Sequence, residues 1–366
     1  MKIKTITCHN VYNFGASLQA YALMTYLTSQ GHQVEIIDYM PDYIRKNLSL
    51  WAIGPKWNRN IFIKCAFYCY VIPIRIMQSK SRKKFDEYTR KYLHLTQRYN
   101  SFQELLNNPP EADIYFCGSD QIWNEKITGE TSLYYGANYE SCPIKISYAA
   151  SFGSNKLTLF ETKCVKEYLT DFQAISLREK DCLTDVARLT GKDAKLVLDP
   201  VFLLDVNFWT NFASRAKYKI KEKYILYYSL KEDRELIAQT RKLSEQTNCT
   251  VLCIHPTCSN LHVGWKQLHT VGPYEFVSLI KNAESIATNS FHAIAFSIIF
   301  EKKTLYKSFS KTDNRVESLL KSLNASHLNK NGLYDFSAKD ERNIENYLNE
   351  SKKFLMNALG NNTENV

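Results

Sequence analysis

His292 stands in the first turn of an apolar run, TNSFHAIAFSIIF (288–300). Ile286, Ala287 and Thr288 close a short strand, and Thr288, Asn289 and Ser290 are good helix N-cap types. A strand–turn–helix junction aims backbone N–H groups and the positive end of a helix dipole at one point. A histidine there adds a side-chain donor, and the chemistry indicated is anion binding, most simply of a phosphate. The competing reading is a core histidine satisfied by a backbone carbonyl. Four other strand-like runs also end in small or polar residues. Ser119, Asp120 and Gln121 follow ADIYFCG (112–118), and Gly153 follows IKISYAASF (144–152). Arg178 and Glu179 follow AISL (174–177), and Asp199-Pro200 closes AKLVL (194–198). A carboxylate so placed can act as a general base, and an arginine can grip a carboxylate in two-pronged fashion.

These positions require strands whose carboxyl ends share one edge. KIKTITC (2–8) alternates as a first strand, the turn at Asn13-Phe14-Gly15 leads into a helix, and Gly31 stops it before QVEIIDY (33–39). This β-turn-α-β unit is the building block of a doubly wound sheet, which holds ligands at strand carboxyl ends. It lacks GxGxxG, so a dinucleotide is not indicated. The pattern restarts near Asp205. KYILYYSL (223–230), TVLCIHP (250–256) and KTLYKSF (303–309) read as strands, with a helix started by Pro273 and a last helical stretch over 338–359. The expectation is an α/β domain over 1–205, a second over 206–335, and a terminal helix and tail over 336–366.

At 366 residues with 45% hydrophobic and 23% charged residues, the chain has the composition of a soluble globular protein with sizeable cores. Lys and Arg outnumber Asp and Glu, 47 to 37, which favours anionic partners. The densest basic run, SKSRKK (79–84), reads as a solvated helix start rather than a nucleic-acid patch. IFIKCAFYCYVIPIRIM (61–77) is apolar but broken by Lys64, Pro73 and Arg75. It falls short of a clean membrane span, leaving a buried helix or a surface helix in peripheral contact with a membrane. The ten cysteines are scattered and the chain opens directly into a strand, which points to reduced thiols in the cytoplasm. Cys249, Cys253, His255, Cys258 and His262 superficially resemble a zinc set, but their spacing matches no knuckle or finger, so no metal is expected.

NFGASLQAYAL (13–23), GSDQIWN (118–124), YAASFG (148–153), SLRE (176–179), LDPVFL (198–203), GPYEFVSLIKNAE (272–284) and TNSFHAIAFSIIF (288–300) occur in this order. On these motifs, individually weak and jointly specific, the chain resembles the polysaccharide pyruvyl transferase family over roughly residues 2–320. The resemblance implies a GT-B-like fold, two Rossmann-like domains facing a cleft. It implies transfer of pyruvate from phosphoenolpyruvate to two hydroxyls of a sugar, free or lipid-linked, giving a cyclic ketal in exopolysaccharide or capsule biosynthesis. Phosphoenolpyruvate is then a donor substrate, and no cofactor, metal or nucleic acid is required. The place of work is the cytoplasm, including the inner face of the membrane. Asp120 is the first choice of general base, ahead of Glu179, and His292 takes and protonates the leaving phosphate. Arg178 grips the donor carboxylate, and Asn13, Ser119, Gln121, Ser290 and Arg315 complete the substrate contacts. Ala16 stands where some branches carry Asp after the first Asn-x-Gly. Two other classes stay open at this point: a nucleotide-sugar glycosyltransferase of GT-B type, and a non-catalytic binding protein of the same fold.

Overall fold

The structure, a computed structural model, describes residues 1–360 apart from 42–43, 46–48, 50, 54–56, 130, 137–143, 218–219, 255–263 and 309–313. The first half alternates β1 (Lys2–Ile6), α1 (Phe14–Ser29), β2 (Gln33–Tyr39), α2 (Ile61–Tyr92), β3 (Leu95–Tyr99), α3 (Phe102–Asn107) and β4 (Ile114–Cys117). It continues through α4 (Glu125–Thr128), β5 (Ile144–Ser147), α5 (Leu159–Tyr168), β6 (Ile175–Leu177), α6 (Leu183–Thr190) and β7 (Ala194–Leu196). The parallel sheet runs β3-β2-β1-β4-β5, and single bridges from Ile146 to Ala174 and from Ala150 to Leu177 carry it on to the β6-β7 pair. This is the doubly wound order, with its reversal between β1 and β4.

The second half holds α7 (Val206–Ser214), β8 (Tyr224–Tyr228), α8 (Arg234–Thr247), β9 (Thr250–Ile254), β10 (Lys266–Gln267), α9 (Pro273–Asn282), β11 (Ser285–Thr288), α10 (Phe291–Ile299) and β12 (Lys303–Tyr306). After α11 (Arg315–Ser322), the short strands β13 (Asn329–Lys330) and β14 (Leu333–Asp335) add an antiparallel edge beyond β12. The sheet order is β10-β9-β8-β11-β12-β14-β13, so a second reversal lies between β8 and β11. Two Rossmann-like units therefore face each other, in the GT-B-like arrangement expected. The final helix α12 (Glu341–Ala358) returns to the first half, where the Leu198 N–H donates to Ser351 Oγ at 3.0 Å and Phe354 packs on Tyr148.

Apolar packing presses the halves together on one side. Phe14, at the start of α1, stacks on Phe276 of α9 at 4.4 Å between ring centroids, and Trp209 of α7 meets Phe296 of α10 edge-on at 4.9 Å. These residues belong to a single buried cluster drawn from both halves. Aromatic pairs of this kind contribute about 0.5–1.5 kcal/mol each beyond their buried area. The contact leaves the two reversal points adjacent on its polar side.

Two expectations are corrected here. The strand read over 194–198 is shorter than expected. It leaves the sheet after Leu196, because Pro200 has no N–H to donate and Asp199 Oδ1 instead accepts from the Val201 N–H at 3.2 Å, opening a single 3-10 turn. Residues 61–77 form a helix, but it is not a buried one. Within α2 only Phe85 and Tyr88, towards its far end, are buried.

Candidate functional site

The site begins with the loops leaving β1 and β4. Thr7 Oγ1 donates to the Ser119 carbonyl at 2.8 Å and accepts from Gln19 Nε2 at 2.8 Å, tying the two strand ends to α1. Gly118 has φ of 125°, and a Cβ there would lie 2.3 Å from the Tyr148 carbonyl oxygen, so only glycine fits the turn. Asp120 takes φ of 75°, a left-handed conformation that Asp tolerates better than most residues.

Beyond the turn, four side chains from four chain segments converge. Arg178, at the end of β6, donates to Asp199 Oδ2 at 2.7 Å and to Asp120 Oδ1 at 3.1 Å. Its guanidinium lies over the Phe291 ring, 4.2 Å from the centroid. His292 Nε2, from α10, is 3.4 Å from the same Asp199 Oδ2, and Ser119 Oγ donates to that oxygen at 3.4 Å. The Asp199 side chain is fully buried and that of Arg178 is 1% exposed, whereas that of Asp120 retains 16%. The other face of the His292 ring rests on Gly15 in the first turn of α1, where an added Cβ would lie 2.0 Å from Nδ1. His292 thus bridges the halves, carried by the second and held by Asp199 and Gly15 of the first.

Burial alone would raise the Asp199 carboxyl, but His292 and Arg178 outweigh it and hold the group far below the usual carboxylate range. Asp120 follows the same logic: burial opposes ionisation, and Arg178, His292 and Arg315 overcome it. Glu179 goes the other way. Burial raises it despite Arg178, and its Oε1 accepts from the Phe152 N–H at 2.9 Å. Asp120 and Asp199, ionising more readily folded than unfolded, stabilise the fold above the unfolded carboxylate range. That contribution disappears as pH falls through their folded values, while Glu179 contributes with the opposite sign. The net expectation is a urea midpoint that does not fall between neutral pH and about pH 5 and drops below that, as pH passes the unfolded carboxylate range towards the folded values. Asp199→Asn should flatten that slope.

Asp120 faces a pocket of about 320 Å³ lined also by Cys8, Asn13, Ala16, Gln121 and Tyr134. That volume is at the lower end for a small-molecule site. Burial, with Asp120 nearby, pushes the Cys8 thiol up to about 12, so it is not a nucleophile near neutrality. Ala16 contributes only a methyl, and among the described lining residues the carboxylate is that of Asp120.

Of the residues singled out by sequence, Asn13, Asp120 and Gln121 line the pocket, while Ser119, Arg178 and His292 meet beneath it on Asp199. Arg315 is buried at the start of α11 and bears electrostatically on Asp120 and Glu179. Three roles look different in place. Both prongs of Arg178 are on protein carboxylates rather than open to a ligand, because β4 and β7 bring two acids within its reach. Asn13 Oδ1 caps α1 by accepting from the Ala16 N–H at 3.2 Å, and Ser290 Oγ caps α10 by accepting from the Ala293 N–H at 3.5 Å. Asp199 was noted at a strand end but given no role in the site. Its signal was an acid closing a strand, masked by the ordinary reading of Asp-Pro as a turn. Gly15 gave no signal of its own. Cys249 and Cys253 are buried in the second half; the remainder of the cysteine–histidine cluster, His255, Cys258 and His262, lies outside the described residues.

A family model described as polysaccharide pyruvyl transferase matches residues 13–308. No curated protein matches the sequence. Among solved structures, UDP-GlcNAc 2-epimerase from Methanocaldococcus jannaschii, in complex with UDP-GlcNAc and UDP, is similar at 12% identity and a TM-score of 0.49, covering 96% of this chain and 100% of its own. UDP-GlcNAc 2-epimerase from Neisseria meningitidis, bound to UDP-GlcNAc, gives 11% identity and 0.49 over 98% and 100%. The heptosyltransferase WaaC from E. coli gives 9% and 0.38 over 88% and 99%.

Proposed function

Since the chain belongs to the polysaccharide pyruvyl transferase family, we propose that it moves the pyruvyl group of phosphoenolpyruvate onto two hydroxyls of one sugar. The acceptor is a cell-surface polysaccharide or its lipid-linked precursor, and the product is a cyclic ketal with release of inorganic phosphate. The observation that carries this reading is the convergence of Asp120, Arg178, Asp199 and His292 across the two halves, beside a pocket.

The first hydroxyl adds across the enol double bond: its oxygen bonds to C2 and a proton goes to the methylene carbon. The second hydroxyl then bonds to C2 as the C2–O bond to phosphate breaks, and its proton balances the departing phosphate. Each hydroxyl must lose a proton as it attacks. Asp120 is the base for that step, since it faces the pocket and is kept ionised by Arg178. His292, in the first turn of α10, is the side-chain donor for the phosphate, and Arg315, which like it acts electrostatically on Asp120, adds a positive charge. Arg178 serves as a positioning residue for the two aspartates rather than as the clamp on the donor carboxylate. Gln121 meets sugar hydroxyls at the pocket wall, where Asn13 can add only its side-chain N–H, since its oxygen caps α1.

Incubation with phosphoenolpyruvate and candidate lipid-linked oligosaccharides, followed by mass spectrometry and phosphate assay, tests this. A ketal-bearing product with matched phosphate release is expected. Consumption of a nucleotide sugar instead would replace the reading with glycosyl transfer. Stable ligand binding without phosphate release would favour a binding protein.

Arg178→Lys separates the positioning role from a donor clamp. An ammonium cannot hold two carboxylates in a fixed fork. The acid limb of the kcat profile should therefore move to higher pH, with the KM for phosphoenolpyruvate changing less than kcat. A large rise in KM at constant kcat would restore the donor clamp.

A further inference from the structure

The chain's net positive charge comes from one segment. Residues 43–85 contain ten of the 47 Lys and Arg and none of the 37 Asp and Glu. That one segment carries the whole formal excess of +10, and the remainder of the chain balances to zero. The same segment contains the first part of α2, residues 61–80, all described and none buried. Phe62 is 82% exposed, Tyr70 66%, Ile61 65% and Ile76 58%.

Helical spacing resolves this stretch into two faces. The positions open to solvent between 61 and 77 are Ile61, Phe62, Cys65, Ala66, Cys69, Tyr70, Pro73, Ile76 and Met77, and not one is charged. The charged pair Lys64 and Arg75 lies on the opposite face, half-covered, where Trp51 packs on Tyr68 and Trp57 on Phe67. The stretch is therefore apolar on both faces, with its two charges on the half-covered side and none on the open side, unlike a surface helix of a soluble domain. The far end of α2 is anchored in the protein. Lys84 pairs with Glu275 at 2.5 Å, Ser81 Oγ bonds to the Val271 carbonyl, and Phe85 packs on Phe14.

We propose that the outward face of residues 61–77 seats in the plane of an anionic lipid surface. Charge selects this occupant over a second copy of the chain. Pairing two copies through this face would bring two all-basic segments together, whereas anionic headgroups neutralise them. Topology selects an in-plane helix over a spanning one. β2 precedes the segment and β3 follows it in the same sheet, so a helix crossing the bilayer would force residues 40–60 to cross back. Those residues include Asp42, Arg45, Lys46, Lys56 and Arg59. The anchored end of the same helix reaches the neighbourhood of the pocket. Arg82 stacks over the Tyr12 ring at 5.1 Å and Asp86 accepts from the Tyr12 hydroxyl at 3.2 Å, next to the pocket residue Asn13.

This inference goes beyond the transfer reaction and needs neither donor nor acceptor to be tested, so either can fail without the other. The full chain is floated with phosphatidylcholine vesicles, with and without about 30% phosphatidylglycerol, at low and high salt. Anionic vesicles should carry at least about tenfold more protein than neutral ones at low salt. The double variant Phe62→Asp/Ile76→Asp should lose about tenfold of that binding with an unchanged melting temperature, since neither side chain is buried. Lys80→Glu/Lys83→Glu should erase the preference for phosphatidylglycerol. Equal recovery with and without vesicles, or variants that float like the parent, would overturn the proposal. So would a dimer, seen by light scattering, that the Phe62→Asp/Ile76→Asp variant dissociates while vesicles go unbound.

Discussion

Replacing His292 by alanine is expected to lower turnover by about a hundredfold, roughly 3 kcal/mol of transition-state stabilisation, with acceptor binding little changed. The expectation rests on where the ring is held. Its Nε2 is 3.4 Å from Asp199 and its Nδ1 lies against Gly15, so it is fixed between the halves in the first turn of α10. A group so fixed acts through the transition state rather than through uniform binding. Gly15→Ala provides an independent check without touching the histidine. A Cβ at that position would overlap Nδ1, and the nearest atoms are all of the imidazole ring. The ring must move, while alanine itself suits the second position of α1. Gly15→Ala should therefore reproduce most of the kinetic loss with cooperative unfolding retained. Single-turnover phosphate release and thermal melts on both variants decide the matter. If His292→Ala fails to fold, the histidine is a packing residue; if both variants turn over normally, the leaving phosphate is handled elsewhere.

Much of this arrangement was legible in the order of residues. The fold class followed from alternating strand and helix periods, and polar residues recurring at strand ends marked the carboxyl edge where doubly wound sheets bind. Those signals are local, and each survives whatever the rest of the chain does. Which partner a side chain takes is not local. Arg178 looked free to grip a ligand because Asp120 and Asp199 are 58 and 21 residues away in sequence, and only the packing of β4 beside β5 and of β6 beside β7 brings them to it. The same holds for Ser290 and Asn13, whose N-cap geometry uses the oxygen that a substrate contact would need. The apolar run of α2 is the opposite case. Its composition is plain in the sequence, but a buried helix and a lipid-seated helix share that composition. Only the observation that the uncharged face is the outward one separates them.

Asp199→Ala is expected to destabilise the fold by about 3–5 kcal/mol, more than any other single change at the site. Asp199 takes the shorter of the two Arg178 ion pairs, accepts from Ser119 and the Val201 N–H, and faces His292, all without exposure to water. Its removal leaves a buried guanidinium that, among the described residues, keeps Asp120 as its charged hydrogen-bond partner, and releases the 3-10 turn that ends the first half. The loss is therefore mostly the penalty of an uncompensated buried charge rather than the worth of the contact removed. That distinction can be measured. Asp199→Asn keeps the shape and the acceptor for Val201 and should cost less than Asp199→Ala in urea unfolding. Asp199→Ala combined with Arg178→Met removes both charges, and its cost should fall short of the sum of the two single variants by at least about 1 kcal/mol. Strict additivity would mean that Arg178 finds water or another acid once Asp199 is gone, and that Asp199 serves mainly to orient His292. In that event Asp199→Asn should retain stability and lose turnover to nearly the extent of His292→Ala.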